Sequence, residues 1–183
     1  MAKLILGMNV SLDGYVDDVD GTLVMGPPSP ELFDLWTQVV GRSAGAIYGR
    51  RMYEVMRYWD DDRDEWTDAL RAFAVAWRRL PKWVVSSTLR SVGPNATLIS
   101  GDIEARVREL KASMEGALSV SGPQLAGLMT ELGLIDEYHL YLRPFVLGKG
   151  KPFFHDGRPP LRLLSSEQVD HETMRLVYGV GEA

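Results

Sequence analysis

The residues best suited to chemistry lie in Gly49-Arg50-Arg51, which follows a β-type run and opens a helical run. The first N–H groups of a helix have no partner within the helix and carry the positive end of its dipole, so they attract anions. Glycine lets a ligand approach the backbone closely, and arginine is a permanently charged donor that matches phosphate oxygens. The stretch therefore predicts a phosphate site, although two arginines on a surface helix are unremarkable by themselves.

A second turn of this kind is Ser121-Gly122-Pro123-Gln124-Leu125, which joins another β-type run to a helical run. Proline at the first helical position removes an N–H group that would be unsatisfied anyway, and it leaves those of Gln124 and Leu125 free. Two interpretations stay open at this position. One is a plain glycine turn, and the other is an anion site formed by Gly122, Pro123, Gln124 and Leu125.

A third stretch, Ser86-Ser87-Thr88, ends a β-type run in three hydroxyl groups. Such hydroxyls either cap a turn or donate hydrogen bonds to phosphate oxygens. None of the three stretches is a Walker loop or a G-x-G-x-x-G turn, so the sequence does not indicate the common nucleotide-binding folds.

The remaining acidic and histidine residues are better explained without a metal. The acidic run at residues 60–65 precedes a helical run, where the dipole favours negative charge, and it lacks the glycine and distal glutamate of a calcium loop. His139, His155 and His171 are far apart in the sequence, and the chain has no cysteine. We therefore predict no metal site.

The elements that position these residues alternate between β-type runs and amphipathic helical stripes, which predicts an α/β fold. The stripes are Leu32-Leu35-Trp36-Val39, Trp66-Leu70-Phe73-Trp77, Ile103-Val107-Leu110-Met114 and Leu125-Leu128-Met129-Leu132, with Ser29 and Asp102 as predicted N-caps. The β-type runs are 4–10, 46–48, 83–86, 97–100, 118–120, 137–143, 161–166 and 173–180. Because no helix separates the last two runs, we expect an antiparallel hairpin at the edge of a mostly parallel sheet. The whole chain, residues 1–183, is expected to form one domain.

Composition narrows the classes of partner. The 183-residue chain has 20 Lys and Arg against 25 Asp and Glu, a formal net charge of −5. This balance argues against nucleic-acid and membrane partners, whose phosphates bind clustered basic residues. The first residues form too short an apolar run for a signal peptide or a membrane span, and the absence of cysteine fits a reducing compartment. We expect a cytoplasmic protein that binds a small molecule.

Five motifs in order resemble the dihydrofolate reductase superfamily, most closely the branch related to the C-terminal reductase domain of the bifunctional riboflavin-biosynthesis deaminase-reductase. They are Ser11 to Gly14, Gly49 to Glu54, Lys82 to Leu89, Val120 to Leu125, and Asp136 to Phe154, and they span most of the chain. The resemblance implies a dihydrofolate-reductase-like three-layer sandwich, with a mostly parallel central sheet and an antiparallel C-terminal hairpin. The cysteines of the deaminase half are absent.

The same resemblance implies a reductase that takes hydride from NADPH. By position, Gly49, Arg50 and Arg51 would approach the cofactor phosphates, Ser86, Ser87 and Thr88 the adenosine 2′-phosphate, and Gly122, Pro123, Gln124 and Leu125 the pyrophosphate. Asn9 would lie near the nicotinamide and the substrate, and residues 13–30 would form a mobile flap.

The chain departs from the family pattern at two positions. Met52 stands where the family often has threonine, so one hydroxyl contact to phosphate is absent. Dihydrofolate reductases also carry an acidic residue that binds the pterin, and the nearest candidate catalytic residue here is Asp34. A single carboxylate on a helix face is, however, more often solvated surface. The sequence therefore names no proton donor.

We expect an NADPH-dependent reductase of a small heterocyclic, carbonyl or imine substrate. Two alternatives remain: a standalone pyrimidine reductase of riboflavin biosynthesis, whose sugar-phosphate substrate needs a second basic cluster, and a non-catalytic nucleotide-binding regulatory protein.

The apolar residues in 137–154 also predict a homodimer, unless the hairpin at 161–180 covers them within one chain.

Overall fold

The structure is a computed structural model that describes residues 1–21, 26–155 and 157–181. The strands are β1 (Lys3–Ser11), β2 (Tyr15–Asp17), β3 (Gly45–Gly49), β4 (Lys82–Val85), β5 (Ala96–Ile99), β6 (Ala117–Ser121), β7 (Glu137–Arg143), β8 (Lys151–Pro152), β9 (Leu161–Gln168) and β10 (Met174–Val180). The α-helices are α1 (Pro30–Arg42), α2 (Arg50–Met56), α3 (Asp68–Arg79), α4 (Ile103–Ser113) and α5 (Pro123–Glu131), and a 3-10 turn spans Arg57–Trp59.

Eight strands form one sheet in the order β5-β4-β3-β6-β1-β7-β10-β9, and β2 pairs with β8 separately. From β5 to β7 every neighbouring pair is parallel, whereas β10 is antiparallel to both β7 and β9. The prediction of a mostly parallel sheet with an antiparallel C-terminal hairpin is confirmed. Because parallel strands end at the same edge of a sheet, the turns after β3, β6, β1 and β7 lie side by side, where ligands bind in open α/β sheets.

Helices α4 and α5 cover one face of the sheet. Their residues Val107 and Met129 are fully buried and pack with Leu6 and Val120 of the central strands. Each buried aliphatic side chain of this kind contributes about 1.5–3 kcal/mol through removal of apolar surface from water. This apolar layer fixes the strands whose ends carry the candidate site.

Helices α1 and α3 cover the opposite face, which completes three layers. Trp77 of α3 donates its indole N–H to the Tyr48 hydroxyl of β3 across 3.3 Å. Burial raises the pKa of this Tyr48 hydroxyl to about 12. Trp36 of α1 meets Tyr141 of β7 edge-on, with ring centroids 6.4 Å apart. Helix α1 therefore lies over the part of the sheet that contains β7.

Side-chain caps start three of the helices. The side chains of Ser29 and Asp102 accept N–H groups from the first turns of α1 and α4, so both predicted caps are confirmed. The predicted second stripe began at Trp66, but Thr67 caps α3 and Trp66 lies before the helix. The Trp66 indole instead donates to the Tyr58 hydroxyl at 2.8 Å, which keeps the ring buried without helical backbone.

Strand β7 is an interior strand, with β1 on one side and β10 on the other. Its Tyr138 and Tyr141 are 1% and 4% exposed, so the chain itself covers much of the surface that motivated the homodimer prediction. The edge of the sheet on this side is β9, whose eight residues are all exposed. The apolar side chains presented there are Leu161, Leu163 and Leu164.

No helix in the described ranges is long and apolar enough to cross a membrane. Across residues 1–21, 26–155 and 157–181, no three metal-ligating side chains form a group that could hold an ion. Within the acidic run, Asp60 pairs with Arg57 and Asp62 with Arg78. These are ion pairs at the protein surface, which contribute little to stability.

Candidate functional site

The turns at Gly49 and Gly122 meet at the carboxyl edge of the sheet. A Cβ placed on Gly122 would lie 3.8 Å from the backbone N of Gly49 and 3.6 Å from Cβ of Met52. Gly122 is the N-cap of α5 and Gly49 the N-cap of α2, and neither helix start has a side-chain cap. Uncapped N–H groups from two neighbouring turns therefore face one place, which suits an anion.

The first turn of α5 is arranged as its sequence predicts. Gly122 has φ of 109°, a left-handed conformation that strains any residue with a side chain, and its carbonyl accepts the N–H of Ala126 at 2.9 Å. Pro123 has no N–H, so those of Gln124 and Leu125 precede the first intrahelical bond. Leu125 is buried, whereas Gln124 is exposed at the helix start.

Gly49 is not required by local packing. Its φ of −71° is open to any residue, and a Cβ there would make ordinary contact with Leu125 Cβ at 3.7 Å. A glycine that the fold does not need leaves the backbone without a side chain of its own over it. Such a bare backbone would suit close approach of a ligand.

The two arginines after Gly49 point to different surroundings. Arg50 lies 3.7 Å from Glu54, and both side chains are about half exposed, so this ion pair is weak and Arg50 stays available to a ligand. Arg51 Nη2 would lie 3.6 Å from a Cβ added to Gly21. Arg51 therefore reaches toward the segment that follows β2.

Arg51 and Lys151 form a second basic cluster, apart from Arg50. This cluster was not predicted from the sequence. The ammonium group of Lys151 also lies against Gly21, and Lys151 pairs in register with Asp17 across β2 and β8. Burial raises the pKa of Asp17, while the charges of Lys151 and Arg51 oppose that change. The only sequence signal was a lysine in the fifth motif, because nothing local shows that residue 151 packs beside residue 51.

Ser86 serves the turn after β4. Its Oγ accepts the N–H groups of Thr88 at 3.2 Å and of Leu89 at 3.0 Å, which is the turn-capping alternative. Ser87 and Thr88 are exposed, so their hydroxyls are open to solvent. A phosphate contact by these hydroxyls stays a prediction.

Asn9 lies near the end of β1, between β6 and β7. Its Oδ1 is buried and has no hydrogen-bond partner among the described residues. Asn9 is in register with Tyr141, whose ring meets Trp36 of α1. A buried amide oxygen without a partner is costly, so Asn9 has the character of a ligand-binding group.

Asp13 holds together two of the five sequence motifs. Its carboxylate accepts the hydroxyl of Ser11 at 2.6 Å and the backbone N–H groups of Leu147 at 3.1 Å and Gly148 at 2.7 Å. The Ser11 hydrogen bond is the largest cause that lowers the pKa of Asp13. These motifs are thus explained by a clamp between the β1 and β7 turns, not by direct chemistry.

Asp34 is exposed on α1, whereas Leu32 of the same helix is buried. This placement fits the solvated helix-face interpretation, and a catalytic role for Asp34 stays a prediction. Part of the expected flap, residues 22–25, lies outside the described residues. The parts on either side are described, and there β2 pairs with β8.

Two cavities in the structure do not reach the Gly49 and Gly122 turns, although the first adjoins the turn after β4 at Leu89. One of about 210 Å³ is lined by Tyr53, Arg57 and Leu89 among others, and one of about 250 Å³ lies between α1 and α3. Neither contacts Asn9, Gly49 or Gly122. We place the candidate site at the open edge of the sheet, because the uncapped helix starts and the unpartnered Asn9 oxygen are found there.

The sequence matches the family described as the RibD C-terminal domain over residues 2–174, which is nearly the whole chain. The chain belongs to the RibD C-terminal domain family. Among curated proteins, YyaP of Bacillus subtilis, described as uncharacterized, is 26% identical over 180 residues, with 96% of this chain and 94% of YyaP covered.

Solved structures share the fold of this RibD C-terminal domain. A protein from Shewanella sp. PV-4 named for riboflavin biosynthesis aligns with a TM-score of 0.75, 22% identity and 100% of each chain covered. The Thermotoga maritima diaminohydroxyphosphoribosylaminopyrimidine deaminase/5-amino-6-(5-phosphoribosylamino)uracil reductase gives 0.67 and 14% identity, covering 98% of this chain and 57% of its own. At these identities the likeness establishes the fold alone, and the predicted dihydrofolate-reductase-like fold is confirmed.

Proposed function

We propose that this RibD C-terminal domain protein is a reductase that takes hydride from NADPH. The observation that carries the proposal is the meeting of Gly49 and Gly122 at one edge of the sheet, with Arg50 beside them. The residues present fit a dinucleotide, because they offer free N–H groups, a bare glycine backbone and an available guanidinium.

The phosphates of the cofactor would be bound by two sets of groups. The N–H groups of Gln124 and Leu125 would donate to the pyrophosphate at the start of α5, with Gly49 allowing close approach. Arg50, Ser87 and Thr88 are exposed and would bind the 2′-phosphate, which distinguishes NADPH from NADH.

The reacting end of the cofactor would lie at β1. This strand is the neighbour of β6, whose end carries the α5 turn. NADPH would supply the hydride from its nicotinamide ring. The buried Asn9 oxygen would accept an N–H group of the nicotinamide or the substrate and so fix their relative orientation. We assign the accompanying proton to solvent.

The substrate would be a small heterocycle or a carbonyl or imine compound. A pyrimidine reductase of riboflavin biosynthesis is the second candidate function, and it is favoured because Arg51 and Lys151 both approach Gly21. That pair supplies the basic cluster that a sugar-phosphate substrate needs. A non-catalytic nucleotide-binding regulator of the same fold is the remaining alternative. A cytoplasmic location fits all three.

Oxidation of NADPH by the purified protein, followed by absorbance with a panel of pterins, pyrimidines, quinones and a phosphoribosylaminopyrimidine, tests these functions. Turnover of any member supports a reductase, and turnover restricted to the phosphoribosyl compound supports the pyrimidine reductase. NADPH binding without turnover across the panel would favour the regulatory protein.

We also propose a homodimer, as expected from the sequence. The proposed contact is β9, and not the residues 137–154 on which the expectation was based. The edge strand exposes Leu163 at 52% and Leu164 at 43%. An exposed apolar edge strand is a template for pairing with another chain, and a twofold pairing of β9 with the β9 of a second copy would cover both leucines.

A further inference from the structure

Arg143, at the end of β7, is a buried charge with few partners. It is 4% exposed, and its Nε and Nη1 have no hydrogen-bond partner among the described residues. Among the described residues its Nη2 donates to the Pro27 carbonyl alone, at a long 3.4 Å, and its guanidinium carbon lies 6.0 Å from the Phe145 ring. Arginine is rarely buried without a counter-ion, because the loss of its hydration is costly.

Asp13, in the turn after the neighbouring strand β1, is already engaged. Arg143 is in register with Ser11 of β1, and the Ser11 hydroxyl donates to Asp13. The Asp13 carboxylate also accepts two backbone N–H groups from the turn after β7. None of the ion pairs in the described ranges includes Arg143. The charge of Arg143 therefore lacks a counter-ion within this part of the chain.

Arg143 shares a face of the sheet with Asn9. Paired residues of neighbouring strands point to the same face, and residues two apart on one strand do so as well. Asn9 pairs with Tyr141, and Ser11 pairs with Arg143, so these four side chains point toward α1. The unpartnered Asn9 oxygen and the two unpartnered nitrogens of Arg143, Nε and Nη1, thus lie on neighbouring strands at the edge that holds the candidate site.

We propose that Arg143 binds a carboxylate of the substrate, beside the group that is reduced. This inference rests on the proposed function for the position of the reacting end near Asn9. A carboxylate is planar, carries one negative charge and matches the guanidinium fork. A phosphate carries nearly two charges, and a single buried arginine would leave part of that charge uncompensated. Phosphate chemistry fits the Arg51 and Lys151 cluster better.

The binding test uses matched probes of nearly the same shape, in which an uncharged carboxamide replaces the carboxylate and an NH2 donor replaces one acceptor oxygen. Benzoate and orotate are each compared with the corresponding carboxamide by calorimetric titration, with inorganic phosphate as a further arm. The wild-type protein is expected to bind the carboxylates about tenfold or more tighter than the carboxamides, as a charge-assisted bond implies. Arg143→Gln is expected to abolish this preference, and Arg143→Lys to retain part of it. The exposed Arg162→Gln on β9 serves as control and keeps the preference.

Thermal unfolding without ligand separates a binding role from a structural one. If Arg143 is kept for a ligand, Arg143→Met removes an uncompensated buried charge, and the variant should melt at a higher temperature than the wild type. A structural arginine would give a lower melting temperature. Equal binding of carboxylate and carboxamide, tighter binding of phosphate, or a preference that survives in Arg143→Gln would overturn the proposal.

These measurements do not depend on the cofactor. The titrations are run without NADPH, so absence of NADPH turnover would refute the proposed function and leave the carboxylate site intact. Conversely, Arg143→Gln should bind NADPH as the wild type does, so a failed carboxylate titration leaves the reductase proposal standing.

Discussion

The backbone N of Gly49 lies 3.8 Å from the position that a Cβ on Gly122 would occupy. These glycines are more than seventy residues apart in the sequence, and the sheet brings their turns together because β3 and β6 are parallel neighbours. The same contact gives a matched pair of substitutions, since the two glycines differ in backbone conformation. One substitution tests the ligand alone, and the other tests the fold as well.

Gly49→Ala should weaken NADPH binding and leave stability nearly unchanged. The φ of Gly49 is −71° and a Cβ there meets only Leu125 at an ordinary distance, so the free energy of unfolding should change by less than about 1 kcal/mol. The added methyl group would lie 3.7 Å from Leu125 Cβ in the first turn of α5, where it would narrow the approach of the pyrophosphate to the N–H groups proposed to bind it. Chemical denaturation and calorimetry measure the two effects, and unchanged NADPH affinity would remove Gly49 from the site.

Gly122→Ala should lower both stability and NADPH affinity. An alanine at φ of 109° is strained, which costs about 1–3 kcal/mol of unfolding free energy. Its Cβ would make only ordinary contact with Met52, so the loss would come from the backbone and not from overlap. Denaturation of this variant beside Gly49→Ala is the comparison. Equal stability of the two alanine variants would contradict the conformational argument.

Much of this arrangement was predictable from the sequence. The turns at Gly49 and Gly122 were predictable, because a glycine between a β-type run and an amphipathic stripe is a local signal. Contacts between distant segments were not predictable. The bond from Gly148 to Asp13 and the approach of Lys151 to Arg51 leave no pattern in either stretch alone.

The short strands β2 and β8 were also missed. They have three and two residues, too few for alternation to be visible. Part of the surface expected on β7 is covered because Trp36 of α1 packs on Tyr141, and Phe153 and Phe154 pack on Tyr138. Contacts of this kind between separate elements are not visible in a single run of residues.

As the pH is lowered, the free energy of unfolding should fall more steeply for the wild type than for the Asp170→Asn variant. Burial acts to raise the pKa of Asp170, but hydrogen bonds from Ser29 and from the N–H groups of Glu172 and Thr173 outweigh it and lower the pKa to about 2. The folded-state pKa is thus below the unfolded one, so this stabilisation is full above pH of about 4 and is lost as the pH falls toward 2.

The Asp170 effect is read from the free energy of unfolding over that acidic range. The asparagine side chain of Asp170→Asn cannot ionise, so this variant should be less stable at neutral pH and show a shallower decline. Parallel curves for the two proteins would mean that the Asp170 carboxylate contributes nothing to the link between the β9–β10 turn and α1.

The double variant Leu163→Glu, Leu164→Glu should be a monomer if β9 forms the dimer contact. Two buried negative charges facing their copies across the twofold would repel, and the leucine surface would be gone. Light scattering at micromolar concentration should give twice the 20.4 kDa chain mass for the wild type and the single mass for the variant. A wild-type mass of one chain, unchanged by NADPH, would rule out the dimer.

Calorimetric titration with NADPH and NADH is the most direct measurement of the cofactor site. We expect the wild type to bind NADPH about tenfold or more tighter than NADH, since one arginine–phosphate pair contributes about 1.5–3 kcal/mol. Arg50→Ala should lose this preference, and Arg106→Ala on the exposed face of α4 should keep it. Equal dissociation constants for the two cofactors, or a preference that persists in Arg50→Ala, would contradict the proposed site.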